Sequence, residues 1–267
     1  MIVITILITL LYCVIIMSFI IGFDRVKEIE VKEGISMRSF SIIIPFRNEE
    51  ESLPELLASL QQLNYRNDYF EIIFVNDDST DNSVELIKKF LAQFGNDIII
   101  IDANRKSNSP KKDAIETAIK QAKFNHIITT DADCIVPPNW LQLFDLMIEK
   151  NEAQFIVAPV AFHSKNTFLD RFQVLDLMSL QGVTIGAFGI GKPFLCNGAN
   201  LCYSKDAFNA VDGFEGNSMI ASGDDIFLLE KVLKNQPEKV VYLKSKVAIV
   251  YSITQPNLKE LIHQRIR

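Results

Sequence analysis

At 267 residues with 48% hydrophobic side chains, the chain is long enough for one large α/β domain or two small ones, and too apolar for a disordered protein. A formal charge of -6, with 27 Lys and Arg residues scattered rather than gathered into a block, excludes nucleic acid as the expected partner. The four cysteines (Cys13, Cys134, Cys196, Cys202) have neither zinc-site spacing nor secreted-disulfide density, and the three histidines (His126, His163, His263) are too dispersed for a histidine metal site or a Ser-His-Asp triad.

Residues 1–23 carry no charged side chain, and their length is about what a transmembrane helix needs. A signal peptide is the rival reading, but the run lacks a basic n-region, is too long and is followed by no clear small-residue cleavage site. Residues 24–38 read as a juxtamembrane linker. Its Arg25, Lys27, Lys32 and Arg38 place the remainder of the chain in the cytoplasm by the positive-inside tendency, in which the neighbouring Asp24, Glu28 and Glu30 count little.

Residues 40–45 form a short β-rich run, 52–63 read as a helix with Ser52 and Glu55 in capping-box spacing, and 70–75 as a second buried strand. Residues 82–94 are helical in pattern, 97–101 extended, 111–123 helical, 126–130 extended and 139–150 helical. Strands alternating with helices of this length predict βαβ units and a largely parallel sheet with helices on both faces, an α/β domain over 39–267.

Beyond about Phe155 the pattern loosens into another apolar strand, a Gly-punctuated apolar stretch at 168–194 and a helix from near Asp224. In the apolar stretch Phe168, Phe172 and Leu175 recur at helical spacing, with Gly182, Gly186, Gly189 and Gly191 at intervals. Core packing is the expectation for it; the alternative is an acceptor channel near the membrane, with Asn197-Gly198-Ala199-Asn200 beneath. At the end of the chain Leu258, Leu261, Ile262 and Ile266 form an apolar stripe flanked by Lys259, Arg265 and Arg267, suited to a helix lying on the bilayer or to burial against the domain. With no internal repeat or low-complexity segment, one domain with two functional halves is the simplest organisation.

Polar clusters fall where strands end, and in open α/β sheets ligands bind outside the carboxyl ends of the strands. The clusters are Pro45-Phe46-Arg47-Asn48-Glu49, Asn76-Asp77-Asp78-Ser79-Thr80-Asp81 and Asp131-Ala132-Asp133. Carboxylates at i and i+2 on an extended segment project to one side and can share a hard cation, although an isolated pair is as readily an acidic turn before Pro137-Pro138. Asp77 and Asp78 can equally cap the helix that follows them. Successive strand ends bring these carboxylates to one edge, and that much negative charge is costly unless a cation or ligand donors meet it.

At these residues the chain resembles the family 2 glycosyltransferases of GT-A fold, over residues 39–267. Ser41-Ile42-Ile43-Ile44-Pro45-Phe46-Arg47-Asn48-Glu49 looks like the family's strand followed by P-x-x-N-E, and Val75-Asn76-Asp77-Asp78-Ser79-Thr80-Asp81 like its V-D-D-x-S-x-D loop. The resemblance implies that Pro45, Arg47 and Glu49 border the nucleotide base and ribose, that Asp77 and Asp78 belong to the nucleotide-sugar site with Asp78 accepting from the base, and that Lys111 stands where the family often has a lysine. Asp131-Ala132-Asp133 is similar to its metal-binding D-x-D, and Gly223-Asp224-Asp225 falls where it has E-D at a helix start. That implies Mg²⁺ or Mn²⁺ on Asp133 and Asp131, Asp225 as general base and Asp224 in a helper role. Gln264-Arg265-Ile266-Arg267 looks like the first four positions of Q-x-x-R-W, a pattern of membrane polysaccharide synthases and lipid glycosyltransferases, and implies diphosphate contacts from Gln264, Arg265 and Arg267. The tryptophan is absent because the chain stops, so the sequence is expected to continue into further membrane helices.

The expectation is therefore an inverting, metal-dependent transfer from a nucleotide sugar, UDP-sugar by default, to a lipid or growing polysaccharide at the cytosolic membrane face. Residues 39–137 would form the nucleotide-sugar-binding half and 138–267 the acceptor-binding half. Two alternatives remain open. A nucleotidyltransferase shares the acidic metal site but has a Walker-type loop missing here, and a silent nucleotide-sugar binder should have lost an acid position, whereas Asp131, Asp133 and Asp225 are all present.

Overall fold

Phe40, Ile42, Ile43 and Ile44 are all fully buried, which a strand achieves only when both of its faces are covered. They begin strand β1 (Phe40–Phe46): Phe40, Ile42, Ile44 and Phe46 enter one core layer and Ile43 the other. Strand β2 (Phe70–Asn76) repeats the pattern, with Phe70, Ile72 and Phe74 on the first side and Ile73 and Val75 on the second. Each such side chain taken out of water stabilises the fold by roughly 1.5–3 kcal/mol before its entropy cost. The computed structural model describes residues 1–31, 37–92, 97–164, 166–216 and 223–266.

Helices α2 (Leu53–Gln61), α3 (Ser83–Leu91) and α5 (Trp140–Asn151) cover the first face, through Leu53, Leu56, Leu60, Ile87, Trp140 and Phe144. Helices α4 (Pro110–Gln121), α7 (Lys205–Ala210) and α8 (Asp224–Asn235) cover the second. The sheet also contains β3 (Asp97–Asp102), β4 (His126–Thr129), β5 (Phe155–Val157), β7 (Leu201–Ser204) and β8 (Val240–Tyr242), in the order β3-β2-β1-β4-β7-β5-β8. A separate parallel pair joins β6 (Val160–His163) to β9 (Val250–Ile253).

The expected βαβ alternation and mostly parallel sheet are present. Strand β7 departs from them by running antiparallel to both β4 and β5. The end of helix 82–94 at Phe94 lies outside the described residues. The expected capping box at Ser52 and Glu55 does not form: Ser52 has helical backbone with no side-chain cap, and its hydroxyl bonds the Glu49 carboxylate. A true box closes instead before α6 (Phe168–Gly189), where Thr167 accepts from the Asp170 amide and Asp170 accepts from the Thr167 amide.

Helix α1 (Ile2–Arg25) is long and apolar enough to cross a membrane, and its apolar side chains are exposed along nearly its whole length. Its C-terminal turn packs on α6 through glycines. A Cβ at Gly186 would lie 2.4 Å from the Phe19 carbonyl oxygen, and one at Gly189 would lie 1.8 Å from that of Gly22. Small residues that let backbones touch are the usual device where helices meet in lipid. The following segment is tied down rather than free: the Ile29 amide donates to the Lys244 carbonyl at 2.8 Å, and Lys244 Nζ donates to the Phe23 carbonyl at 2.7 Å. Lys32 lies outside the described residues.

Core packing accounts for part of 168–194. Ile185 and Ala187 are buried and Leu177 and Phe188 pack on the core, but Phe168, Phe172, Leu175 and Met178 are exposed, and Gly186 and Gly189 serve the contact with α1. In α9 (Leu258–Ile266) only Leu261 of the apolar stripe is buried, while Leu258, Ile262 and Ile266 are exposed, so burial against the domain explains one residue of the four.

Gly186→Leu should force α1 off α6. Overpacking of this kind costs about 1–3 kcal/mol, so the variant should lose thermal stability and be cleaved faster by trypsin after Arg25 and Lys27. Unchanged cleavage would show that α1 is not held at this crossing.

Candidate active site

Because β1, β2 and β4 pair in parallel, their carboxyl ends lie side by side, with Phe46 opposite Asn76 and Ile43 opposite Thr129. The loops leaving β1 and β2 are stitched together. Asn48 Oδ1 accepts from the Thr80 amide at 2.8 Å, the Glu49 amide donates to Ser83 Oγ at 2.8 Å, and the Asn82 amide donates to Glu50 Oε2 at 2.8 Å. Asn48 and Asp78 make the turns by adopting left-handed backbone, a region that Asn and Asp tolerate better than most residues.

Between these loops and α4 opens a cleft of about 630 Å³ lined by Pro45, Arg47, Glu49, Asp77, Lys111, Asp131 and Asp133 together with Phe46, Pro110, Ala114 and Ala132. Asp77 is only 8% exposed and faces two guanidiniums: Arg105 Nε donates to Oδ1 at 2.6 Å and Arg47 Nη1 stands 3.7 Å from Oδ2. Arg105 was not legible in the sequence. It is placed by Asp113, whose Oδ2 accepts from the Lys106 and Ser107 amides at 2.8 Å each. Asp78 is exposed on the left-handed turn beside Asp77 and does not line this cleft.

Asp131 and Asp133 lie in a turn after β4 rather than on an extended segment, with the Cys134 amide donating to the Asp131 carbonyl at 3.2 Å. Both still reach the cleft. Asp133 Oδ2 accepts from Ser252 Oγ on β9 at 3.0 Å. Burial first, and then the Asp131 charge, raise the Asp133 pKa. Glu49 is likewise raised, by burial and then by Asp133, Asp131 and Asp81. Among the described residues no group of three or more His, Cys, Asp or Glu side chains is arranged to hold a metal ion. A carboxylate pair whose mutual repulsion is only partly offset, by Lys111 at Asp131 and Ser252 at Asp133, does fit Mg²⁺ or Mn²⁺, hard cations that take their other oxygens from substrate and water.

Lys111, on the first turn of α4, reaches across to the second half of the chain. Its Nζ bonds Asp131 Oδ1 at 2.5 Å. Burial would lower its pKa, but Asp131, Asp224 and Asp225 outweigh that and raise it. Asp225, at the N-terminus of α8, accepts from the Gly198 amide at 2.8 Å, and Gly198 is held in turn by its carbonyl, which accepts from Thr129 Oγ1 at 2.8 Å. Burial first, and then the adjacent Asp224, push Asp225 up to about 6, against the opposing pull of Lys111. A carboxylate so tuned is suited to taking a proton near neutral pH.

Gln264 lines a second cleft of about 780 Å³, which shares Glu49 and Asp133 with the first and adds Gln255, Asn257, Lys259, Glu260 and His263. Arg265 is turned away and pairs with Asp176 on α6. Arg267 lies outside the described residues. Asn200, suggested as part of an acceptor channel, is fully buried: it accepts from Trp140 Nε1 and donates to the Pro159 and Ala248 carbonyls, so it bolts the core beneath the site.

The sequence profile described as glycosyl transferase family 2 matches residues 41–210. Undecaprenyl-phosphate 4-deoxy-4-formamido-L-arabinose transferase from Pseudomonas fluorescens is 41% identical over 102 residues, covering 37% of this chain and 28% of the relative. Poly-beta-1,6-N-acetyl-D-glucosamine synthase from Staphylococcus aureus is 29% identical over 163 residues, covering 60% of this chain and 37% of the relative. The chain thus spans well under half the length of these two relatives. Among solved structures, S. aureus TarS in complex with UDP-GlcNAc superposes with a TM-score of 0.61 at 17% identity, over 82% of this chain and 59% of that one. The mannosyltransferase PcManGT from Pyrobaculum calidifontis, in complex with GDP-Man and Mn²⁺, gives 0.67 at 13% identity, over 97% and 70%. At such identities the structural likeness speaks to the fold alone.

The raised pKa of Asp225 carries a stability consequence. A native value of about 6 exceeds the ordinary carboxyl value near 4, so the folded state holds this proton more tightly than the unfolded one. That contribution is present below about pH 4 and lost as pH rises through 6. Asp225→Asn removes the penalty while keeping an acceptor for Gly198. In EDTA at pH 7.5 the variant should be more stable by about 1–3 kcal/mol, a gain that shrinks toward pH 4 in thermal unfolding. A variant less stable at pH 7.5 would contradict the buried-carboxylate assignment.

Proposed function

This chain belongs to glycosyl transferase family 2 and has the GT-A fold, and on that premise we propose that it moves a sugar from a nucleotide-sugar donor to a lipid or saccharide acceptor at the membrane, with inversion and with help from Mg²⁺ or Mn²⁺. The observation that carries the reading is the convergence of Asp131, Asp133, Lys111 and Asp225 at one sheet edge, beside a cleft of about 630 Å³.

In this reading the base and ribose lie against Pro45, Arg47 and Glu49. Asp77, buried in the cleft and oriented by Arg105, makes the base contact that the sequence pattern assigns to Asp78. Asp131 and Asp133 hold the cation, which when bound neutralises the diphosphate leaving group. Lys111 Nζ adds a fixed positive charge beside it, and Gln264 closes the far side from the second cleft. Asp225 accepts the proton of the acceptor hydroxyl or phosphate as the new glycosidic bond forms and the bond from the anomeric carbon to the diphosphate breaks. Asp224 keeps Asp225 basic by like-charge repulsion.

A UDP-sugar is the proposed donor. The names of the relatives, one acting on undecaprenyl phosphate and one making a polysaccharide, support an acceptor that is lipid-borne or growing at a membrane. Arg25 and Lys27 beside the α1 span support a cytoplasmic catalytic domain, where nucleotide sugars are made. Reporter fusions at both termini test this orientation; an external C-terminal domain would overturn it.

The reaction itself is tested by full-length protein in membranes, given a panel of nucleotide sugars with Mg²⁺, Mn²⁺ or EDTA. One donor should release its nucleoside diphosphate only with metal. Asp225→Asn should then bind donor but lose about 10²–10⁴-fold in turnover, and the native rate should fall as pH drops through about 6. Asp133→Ala should abolish turnover both with and without added metal. Native-rate transfer by Asp225→Asn would remove the base assignment, and metal-independent transfer would remove the cation.

A further inference from the structure

Helix α6 has one face with two fates. Residues 168, 172, 175, 179, 182, 186 and 189 alternate steps of four and three, which keeps them on one side of an α-helix. At the C-terminal end of this face Gly186 and Gly189 meet α1, which runs in the same chain direction there and splays from α6 toward its own N-terminus: Gly22 lies against Gly186 and Gly189, Phe19 against Gly186, and Ile16 and Ile20 face Ser179 and Gly182 across an apolar cleft. Toward the N-terminal end the same face has no partner among the described residues, and Phe168, Leu175 and Phe172 stand 88%, 68% and 53% exposed.

Exposed aromatic and aliphatic side chains in a continuous row call for an apolar surface. Three observations identify it. The row continues the interface with the membrane-span candidate, whose N-terminal half is itself exposed, so the wedge between the two helices opens into whatever surrounds α1. Helix α9 is clamped to α6 by the Arg265–Asp176 ion pair and by Gln255, whose amide and carbonyl both bond the Gln173 side chain, and it adds exposed Leu258, Ile262 and Ile266 at steps of four. Cationic Arg171 and Lys259 flank the two rows, also exposed, as suits lipid headgroups.

We propose that the face of α6 carrying Phe168, Phe172 and Leu175 lies in the lipid interface, making α6 a membrane-surface helix that seats the catalytic domain against the bilayer. The proposal rests on α1 being a membrane span. Its consequence for the site is direct. Asp170 of α6 accepts from Thr254 Oγ1 at 2.5 Å, and Ser252, two residues earlier, donates to Asp133, so the lipid-facing helix is one strand away from the proposed cation ligand. A lipid-borne acceptor would then enter from the surface on which α6 rests.

The test uses the full chain in vesicles of phosphatidylcholine and phosphatidylglycerol. In a Cys13→Ser, Cys196→Ala background, single cysteines at Phe172 or Leu175 carry a bimane label, with Ile8 on α1 and exposed Lys120 on α4 as controls. Labels at 172 and 175 should be quenched by lipids brominated near the headgroup end of the chain, consistent with a depth of about 5–10 Å, and protected from aqueous iodide. The Lys120 label should show the reverse. Iodide quenching at 172 and 175 with lipid quenching at Ile8 would overturn the proposal and leave the span standing. Protection from both quenchers would overturn it in favour of a protein segment covering the face. Absence of lipid quenching at Ile8 would fail the span reading itself.

Discussion

The acidic edge of the sheet depends on Lys111. Parallel pairing delivers the loops after β1, β2 and β4 to one end of the sheet, and α8 adds Asp224 and Asp225 from the second half of the chain. Carboxylates packed this closely resist ionisation unless a cation shares the site. Lys111 supplies one from within, bonded to Asp131 and charge-balanced by Asp224 and Asp225. The chain therefore assembles its acidic centre before any ligand arrives. The same ammonium joins the end of β4 to the start of α8, the two parts between which donor and acceptor would meet.

One consequence is that the acids are not equivalent. Asp131 has a full cationic partner, Asp133 has a serine hydroxyl and a raised pKa, and Asp225 is poised near 6 by burial and Asp224. Separate environments acting on like groups are how a site divides charge stabilisation from proton transfer. Asp77 shows the same logic at the other end of the cleft. Arg105 and Arg47 stand at its two carboxylate oxygens and fix its orientation, which suits a hydrogen-bond acceptor.

The sheet was legible because its strands are short, continuously apolar and separated by helices of regular period, so that consecutive Ile42, Ile43 and Ile44 declare a doubly covered strand without any tertiary knowledge. Most of the acidic residues at strand ends were legible for the same topological reason. What sequence could not supply was direction and partner. Strand β7 looks like any apolar strand, and only its pairing with β4 and β5 reverses it. Asp77 and Asp78 are adjacent and chemically identical, and the left-handed turn at Asp78 decides which one enters the cleft. Arg105 follows β3 in a loop without periodicity, and its role depends on Asp113 gathering two amides from a distance of six and seven residues. Ser52 and Glu55 have the spacing of a capping box, but the local pattern competes with Glu49 for the Ser52 hydroxyl and loses.

The exposed face of α6 departs from core packing for a physical reason of its own. Apolar periodicity reports that a helix has a face to cover, not what covers it. Inside a soluble domain the cover is protein, and a glycine at that face is a packing defect. Here two glycines on the face, Gly186 and Gly189, are needed so that the backbones of α1 and α6 can touch, which only a helix dedicated to α1 would require. The aromatic end of the same face then has no reason to be apolar unless its surroundings are apolar as well. If the proposed lipid contact of α6 holds, a polar cleft built from carboxylates, arginines and a lysine stands one strand away from the bilayer, where it would join a water-soluble donor to an acceptor that does not leave the membrane.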